Sequence, residues 1–206
     1  NVSENKVDRE IVEAWLQAAT AAGYRRPVDY NREEQEGVGY FQMTMKNGRR
    51  CSSAAAYLTP VRKRSNLHIF TNAHSEKLLI DGNDVTGVRC KIQGKSVDIS
   101  ARREVILSAG SIGSPQLLML SGIGDVAELR PHGIDVLHQL PGVGKNLQDH
   151  LQARPVFKCR ASTINTETKN MFQLAAIAFQ YALNRSGPMA MAASLGTGFL
   201  KTRAEL

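Results

Sequence analysis

The stretch that most limits what this chain can fold into is residues 103–124, REVILSAGSIGSPQLLMLSGIG. Its apolar residues at 105–107 are continuous rather than alternating, the pattern of a strand buried on both faces of a parallel sheet. Next come Ser108, Ala109, Gly110 and Ser111, whose missing or tiny side chains leave the backbone amides at the strand end open to whatever lies above them. Ser114 is a natural N-cap and Pro115 suits a first helical position, so a helix is expected through Gln116 to Leu120, ending at Ser121-Gly122. A tight strand-to-helix turn predicts an α/β fold, in which ligands bind outside the carboxyl ends of the strands. The same spacing also fits a connection whose glycines only permit close packing.

Around this feature the chain reads as a globular protein. It has 206 residues, 42% of them hydrophobic and 22% charged, enough to bury a core and too apolar for disorder. It lacks an initiating Met and closes on FLKTRAEL, which suggests a fragment. The longest apolar run, residues 171–183, contains two Gln and is too short to span a bilayer. Cys51, Cys90 and Cys159 stand far apart, without a CxxC pair or a nearby His at ligand spacing, so no metal site and no disulfide framework are expected. The triplets Asn1-Val2-Ser3 and Asn184-Arg185-Ser186 would accept glycans in a secreted protein and tilt the compartment mildly that way. The net charge of +7 is carried in short, scattered clusters without interleaved aromatics, so a solvated surface explains it better than nucleic-acid binding.

Along the chain, Val7, Ile11, Trp15, Ala18 and Ala22 recur at helical spacing and Gly23 ends the pattern, predicting an amphipathic helix over residues 7–22. Residues 40–45 alternate as in a strand, Asn47-Gly48 signals a turn, and residues 50–58 predict a short helix capped by Ser52 or Ser53 and stopped by Pro60. Four β-like runs follow at residues 67–71, 77–80, 85–92 and 96–100. Turn signals at Asp81-Gly82-Asn83-Asp84 and Gln93-Gly94-Lys95 make the later ones an antiparallel meander. Past Pro141 a strand is expected near residues 154–160 and a helix over 171–183.

Residues 110–124, GSIGSPQLLMLSGIG, match position for position the second signature of the glucose-methanol-choline (GMC) oxidoreductases. The match extends to Ala55–Pro60, to LHIFTNAHSEKLLI at 67–80, to LPGVGKNLQDH at 140–150 and to Ser186-Gly187-Pro188, so that the chain resembles this flavoenzyme family over nearly its whole length. Its flavour is similar to the insect glucose-dehydrogenase-like members. The resemblance implies a mixed α/β (α+β) fold: residues 1–150 would be part of a Rossmann-like FAD-binding domain with a meander inserted at about 66–100, and 151–206 the start of an antiparallel-sheet substrate domain. FAD is the implied cofactor and a small alcohol or sugar the implied substrate. By the same resemblance Ser75 would meet the adenine end of FAD through its backbone, while Ala109 and Gly110 would lie near the ribose and diphosphate. A pyrophosphate wants amide donors there.

Two family parts are missing. No G-x-G-x-x-G opens a helix here: Gly142-Val143-Gly144-Lys145-Asn146-Leu147 lacks the last glycine and follows a proline, and Gly196-Thr197-Gly198 fails in the same way. The family's catalytic His belongs to a segment beyond residue 206, so no catalytic residue is assigned. His150 is a tempting base because Asp149 precedes it, yet neighbours on a strand face opposite ways and no third group supports them, which favours a structural role. No Gly-x-Ser-x-Gly elbow supports a hydrolase. The readings that stand are an FAD-dependent oxidoreductase acting on CH–OH donors, seen here as an internal piece that binds FAD poorly alone, and a catalytically inactive relic or binding module.

Overall fold

The computed structural model describes residues 1–191 and 194–203. In chain order its elements are α1 (Glu10–Ala21), β1 (Gly37–Tyr40), β2 (Met45–Lys46), β3 (Arg49–Arg50), β4 (Ala73–Asp81), β5 (Asp84–Ile92), β6 (Lys95–Ser100), α2 (Gly110–Leu120), β7 (Ile123–Gly124), α3 (Val126–Leu129), β8 (His138–Gln139), α4 (Ile164–Glu167), α5 (Met171–Asn184) and β9 (Gly196–Phe199). Short irregular turns cover Ala54–Leu58, Thr59–Val61, Arg130–His132 and Pro188–Ala190. They form two compact units, Asn1–Leu67 with Pro155–Leu206, and His68–Arg154. The first 67 residues join the last 52 because β1 pairs antiparallel with β9, Tyr40 opposite Gly196 and Gly37 opposite Phe199.

In the first unit α1 turns its apolar side inward and buries Leu16 completely, while Glu10 and Glu13 in its first turn complement the positive helix end. It stops where Gly23 takes φ +96°. There the Tyr24 amide donates to Ala19 O and the Gly23 amide to Thr20 O, the paired bonds of a glycine C-cap. The Asn47-Gly48 signal is realised as the two-residue turn of the β2–β3 hairpin, both residues at positive φ (52° and 68°). Pro60 does not stop a helix. Residues 54–58 form a wide π turn that passes directly into a tight turn with Pro60 near its start, where the missing N–H costs nothing.

The second unit carries the expected meander as the antiparallel sheet β4-β5-β6, with Gln93-Gly94 at positive φ closing one hairpin. Its apolar centre includes Leu78, Cys90, Leu117, Leu129 and Val143. The strand expected over 40–45 is broken, Tyr40 ending β1 and Met45 opening β2 with residues 41 and 42 irregular between them, and three other expected strands are absent. Residues 67–71, 104–107 and 154–160 are irregular, with Ile106 76% and Phe157 84% exposed. An isolated extended run has no partner for its amides and carbonyls, so β propensity alone does not make a strand. For residues 104–107 the expectation of a strand buried on both faces is thereby corrected. No helix among the described residues is long and apolar enough to cross a membrane.

Candidate functional site

The corner singled out by the sequence is built by the start of α2. The helix begins earlier than Ser114-Pro115 suggests: Gly110 opens it and Pro115 lies inside. Rather than capping at its own position, Ser114 reaches back, its Oγ accepting the Ala109 amide at 3.0 Å. Gly110 sits at φ +82°, a conformation that side chains disfavour, and a Cβ placed on it would meet no heavy atom within 4 Å. The space above the corner is therefore open. The first-turn amides of an eleven-residue helix lack intrahelical partners and point outward along its axis, an arrangement that receives a phosphate or another anion. Ala109 contributes less than expected, because its amide is engaged by Ser114.

Ser75 lies on β4, opposite Cys90 on β5, with Oγ and Sγ 3.8 Å apart. Its hydroxyl touches a buried neighbour, although Ser75 itself is exposed on this edge strand. The register slips just after it, between Ser75 and Lys77. Glu76 is the extra residue of a β-bulge, a device that bends an edge strand, and its carboxylate accepts the Ser96 hydroxyl at 2.8 Å. Ser75 and Gly110 belong to one unit, and their elements are tied at Leu78 and Ser121 (2.8 Å). Among the described residues no hydrogen bond joins Ser75 to Ala109 or Gly110.

A cleft of about 980 Å³ runs along α2 from Ser111 and Pro115 to the loop at Gly144, Lys145 and Asn146, so two separate sequence landmarks share one surface. No residue pattern reports this; the structure marks the loop by Asn146, a non-glycine residue held at φ 56°, and such backbone gathers at functional loops. Lys145 pairs with Glu128 across the cleft's edge, and this partner holds its ammonium above the ordinary lysine range. The Asp149-His150 pair is not a dyad: Asp149 Oδ1 accepts the backbone amide of His150 at 2.7 Å, and the imidazole is not its partner.

The family profile described as GMC oxidoreductase matches residues 1–152. The chain belongs to the GMC oxidoreductases. It is 43% identical over 195 residues to an oxygen-dependent choline dehydrogenase of Staphylococcus xylosus, an alignment covering 95% of this chain and 35% of that one. Its fold is similar to that of an FAD-dependent oxidoreductase from Chaetomium thermophilum, with a TM-score of 0.82, 26% identity, and 95% of this chain and 35% of that one covered. Pyridoxine 4-oxidase from Mesorbium loti is similar over 68% of this chain and 28% of its own, with a TM-score of 0.64 and 31% identity. The chain spans about a third of the length of the curated relatives it matches. The mixed α/β architecture is that of GMC proteins, and its glycine-rich corner stands inside the segment that the family profile covers.

Proposed function

We propose that this chain is part of an FAD-dependent oxidoreductase acting on the CH–OH group of a small alcohol. The observation that carries the reading is the open main-chain corner at Gly110, where a Cβ would meet nothing and the helix start presents unpartnered amides. Those amides suit the diphosphate, and Ser75, through its main chain, suits the adenine end. When bound there, FAD would supply the hydride acceptor for oxidation of the alcohol carbon. The chain's own contribution is to hold the anionic part of the cofactor at a helix start and to leave its approach clear of side chains. No residue here is given the role of proton acceptor.

Residues 1–150 are proposed as part of the cofactor domain and residues 151–206 as the start of the substrate domain. The narrower likeness to glucose-dehydrogenase-like members rests on the landmark motifs alone, while relatives 38–43% identical are choline dehydrogenases. Because only one part of a diphosphate cradle lies in these 206 residues, the chain by itself binds FAD poorly. The experiment is to purify the protein in its full reading frame and follow its flavin spectrum under anaerobic addition of a primary alcohol. Bound flavin that bleaches on addition supports the reading. A colourless protein that refuses added FAD leaves the inactive binding module as the better account.

A further inference from the structure

We propose that a second cleft, in the first unit, seats an uncharged apolar alcohol, alkyl or aryl, and that its chemistry selects against both cations and sugars. That the occupant is an alcohol to be oxidised rests on the function proposed above. The binding itself does not.

The cleft, of about 780 Å³, lies between the β2–β3 hairpin and the turn Pro188–Ala190, a size that encloses small organic molecules. Four of the chain's six methionines line it: Met43, Met45, Met189 and Met191. They come from two Met-x-Met stretches far apart in sequence. Pairing of β1 with β9 brings those stretches together, extended by the Phe41 amide donating to Leu195 O (2.8 Å) and fastened by Tyr181 Oη donating to Gly48 O (2.9 Å). Thioether side chains are polarizable and unbranched, so they mould to apolar ligands of varied shape and pack well against aromatic rings.

Charge decides what such a ligand can be. Among the described residues lining the cleft, Arg50 alone is charged at neutral pH, and no carboxylate faces it. Arg50 is exposed and makes no ion pair among the described residues. A quaternary ammonium entering here meets a guanidinium and finds no counter-charge, so cations are turned away. Sugars fail for a different reason. The Gln42 side chain is already bonded to Asn31, Glu4 and Asp29, and the Tyr181 hydroxyl to Gly48, so the side-chain partners left are Arg50, Thr44 and Ser194, while Phe41 and the four methionines offer none to a ring of hydroxyls that would lose their water. An apolar body with one hydroxyl satisfies both constraints.

The test uses the methyl groups of these methionines as reporters in the protein expressed in its full reading frame. Met171 lies outside both clefts and serves as the internal control, while Met119 lines the cleft along α2 and reports on that one. With ¹³C-methyl methionine, titration by benzyl alcohol should shift the four cleft methyls saturably and leave Met171 in place, while choline and D-glucose move none of the four. Arg50→Glu, at an exposed position without an ion pair, should keep the benzyl alcohol response and let choline shift the same four signals. An equal response of the native chain to choline, a shift of Met171 together with the four, or no saturable response would overturn the proposal. If the intact protein carries flavin while the cleft stays silent, only this inference falls. If the cleft responds while the intact protein refuses FAD, it is the enzyme reading that falls.

Discussion

The buried Ser121 hydroxyl accepts the Leu78 amide at 2.8 Å and donates to Leu117 O at 2.6 Å. One small side chain thereby fastens the outer edge of β4 to the last turn of α2, and so sets the helix whose far end is the glycine corner. Ser121→Ala leaves the Leu78 amide buried without a partner, which costs about 1–3 kcal/mol. Chemical denaturation of the variant should show a loss in this range, with the slope of the transition unchanged.

Gly122 follows at φ +81°, and a Cβ there would stand 2.5 Å from Asp135 O, while Gly133 at φ +68° has open space around it. Both positions resist a side chain through backbone strain of about 1 kcal/mol, but only Gly122 adds a collision with main chain. Gly122→Ala should therefore destabilise clearly more than Gly133→Ala in the same melting experiment. Equal losses would mean that strain alone governs both sites.

Acid should loosen the first unit. Arg9 grips Glu167 with two hydrogen bonds of 2.6 and 3.0 Å, and Ser162 donates to the same carboxylate. The Arg9 side chain holds the Glu167 carboxyl below the ordinary glutamate range. Because the folded value is the depressed one, the contribution is present above the unfolded value near 4.3 and is lost as pH falls through the lower folded value. A Glu167→Gln variant should lose on the order of 1 kcal/mol at neutral pH. Its stability should then decline less steeply with acid than that of the native chain in pH-dependent unfolding.

How much of this was legible in the residues follows from the range of the interactions involved. Asn47-Gly48 and Gln93-Gly94 announced their hairpins because a positive φ is a local requirement that few residues meet. The open corner at Gly110 was readable for the same reason. Residues 104–107 and 154–160 were misread because a strand also needs a neighbour's backbone, which no local pattern supplies. Ser114 looked like a cap at its own position, yet its hydroxyl closes on Ala109, five residues back. The gathering of Met43, Met45, Met189 and Met191 depends on the β1–β9 register, and nothing within either Met-x-Met stretch reports the other.

The claim on which the account rests is that the bare main chain at Gly110 is where FAD is received. The most direct measurement is the affinity of the intact protein for FAD, stripped and re-titrated by flavin fluorescence, in the native form and as Gly110→Ala. The account predicts saturable binding by the native protein and a loss of roughly tenfold or more in the variant, as expected when about 1.4 kcal/mol of close approach is lost, with the fold retained by circular dichroism. Unchanged affinity in a folded Gly110→Ala protein, or no binding by the native one, would contradict it.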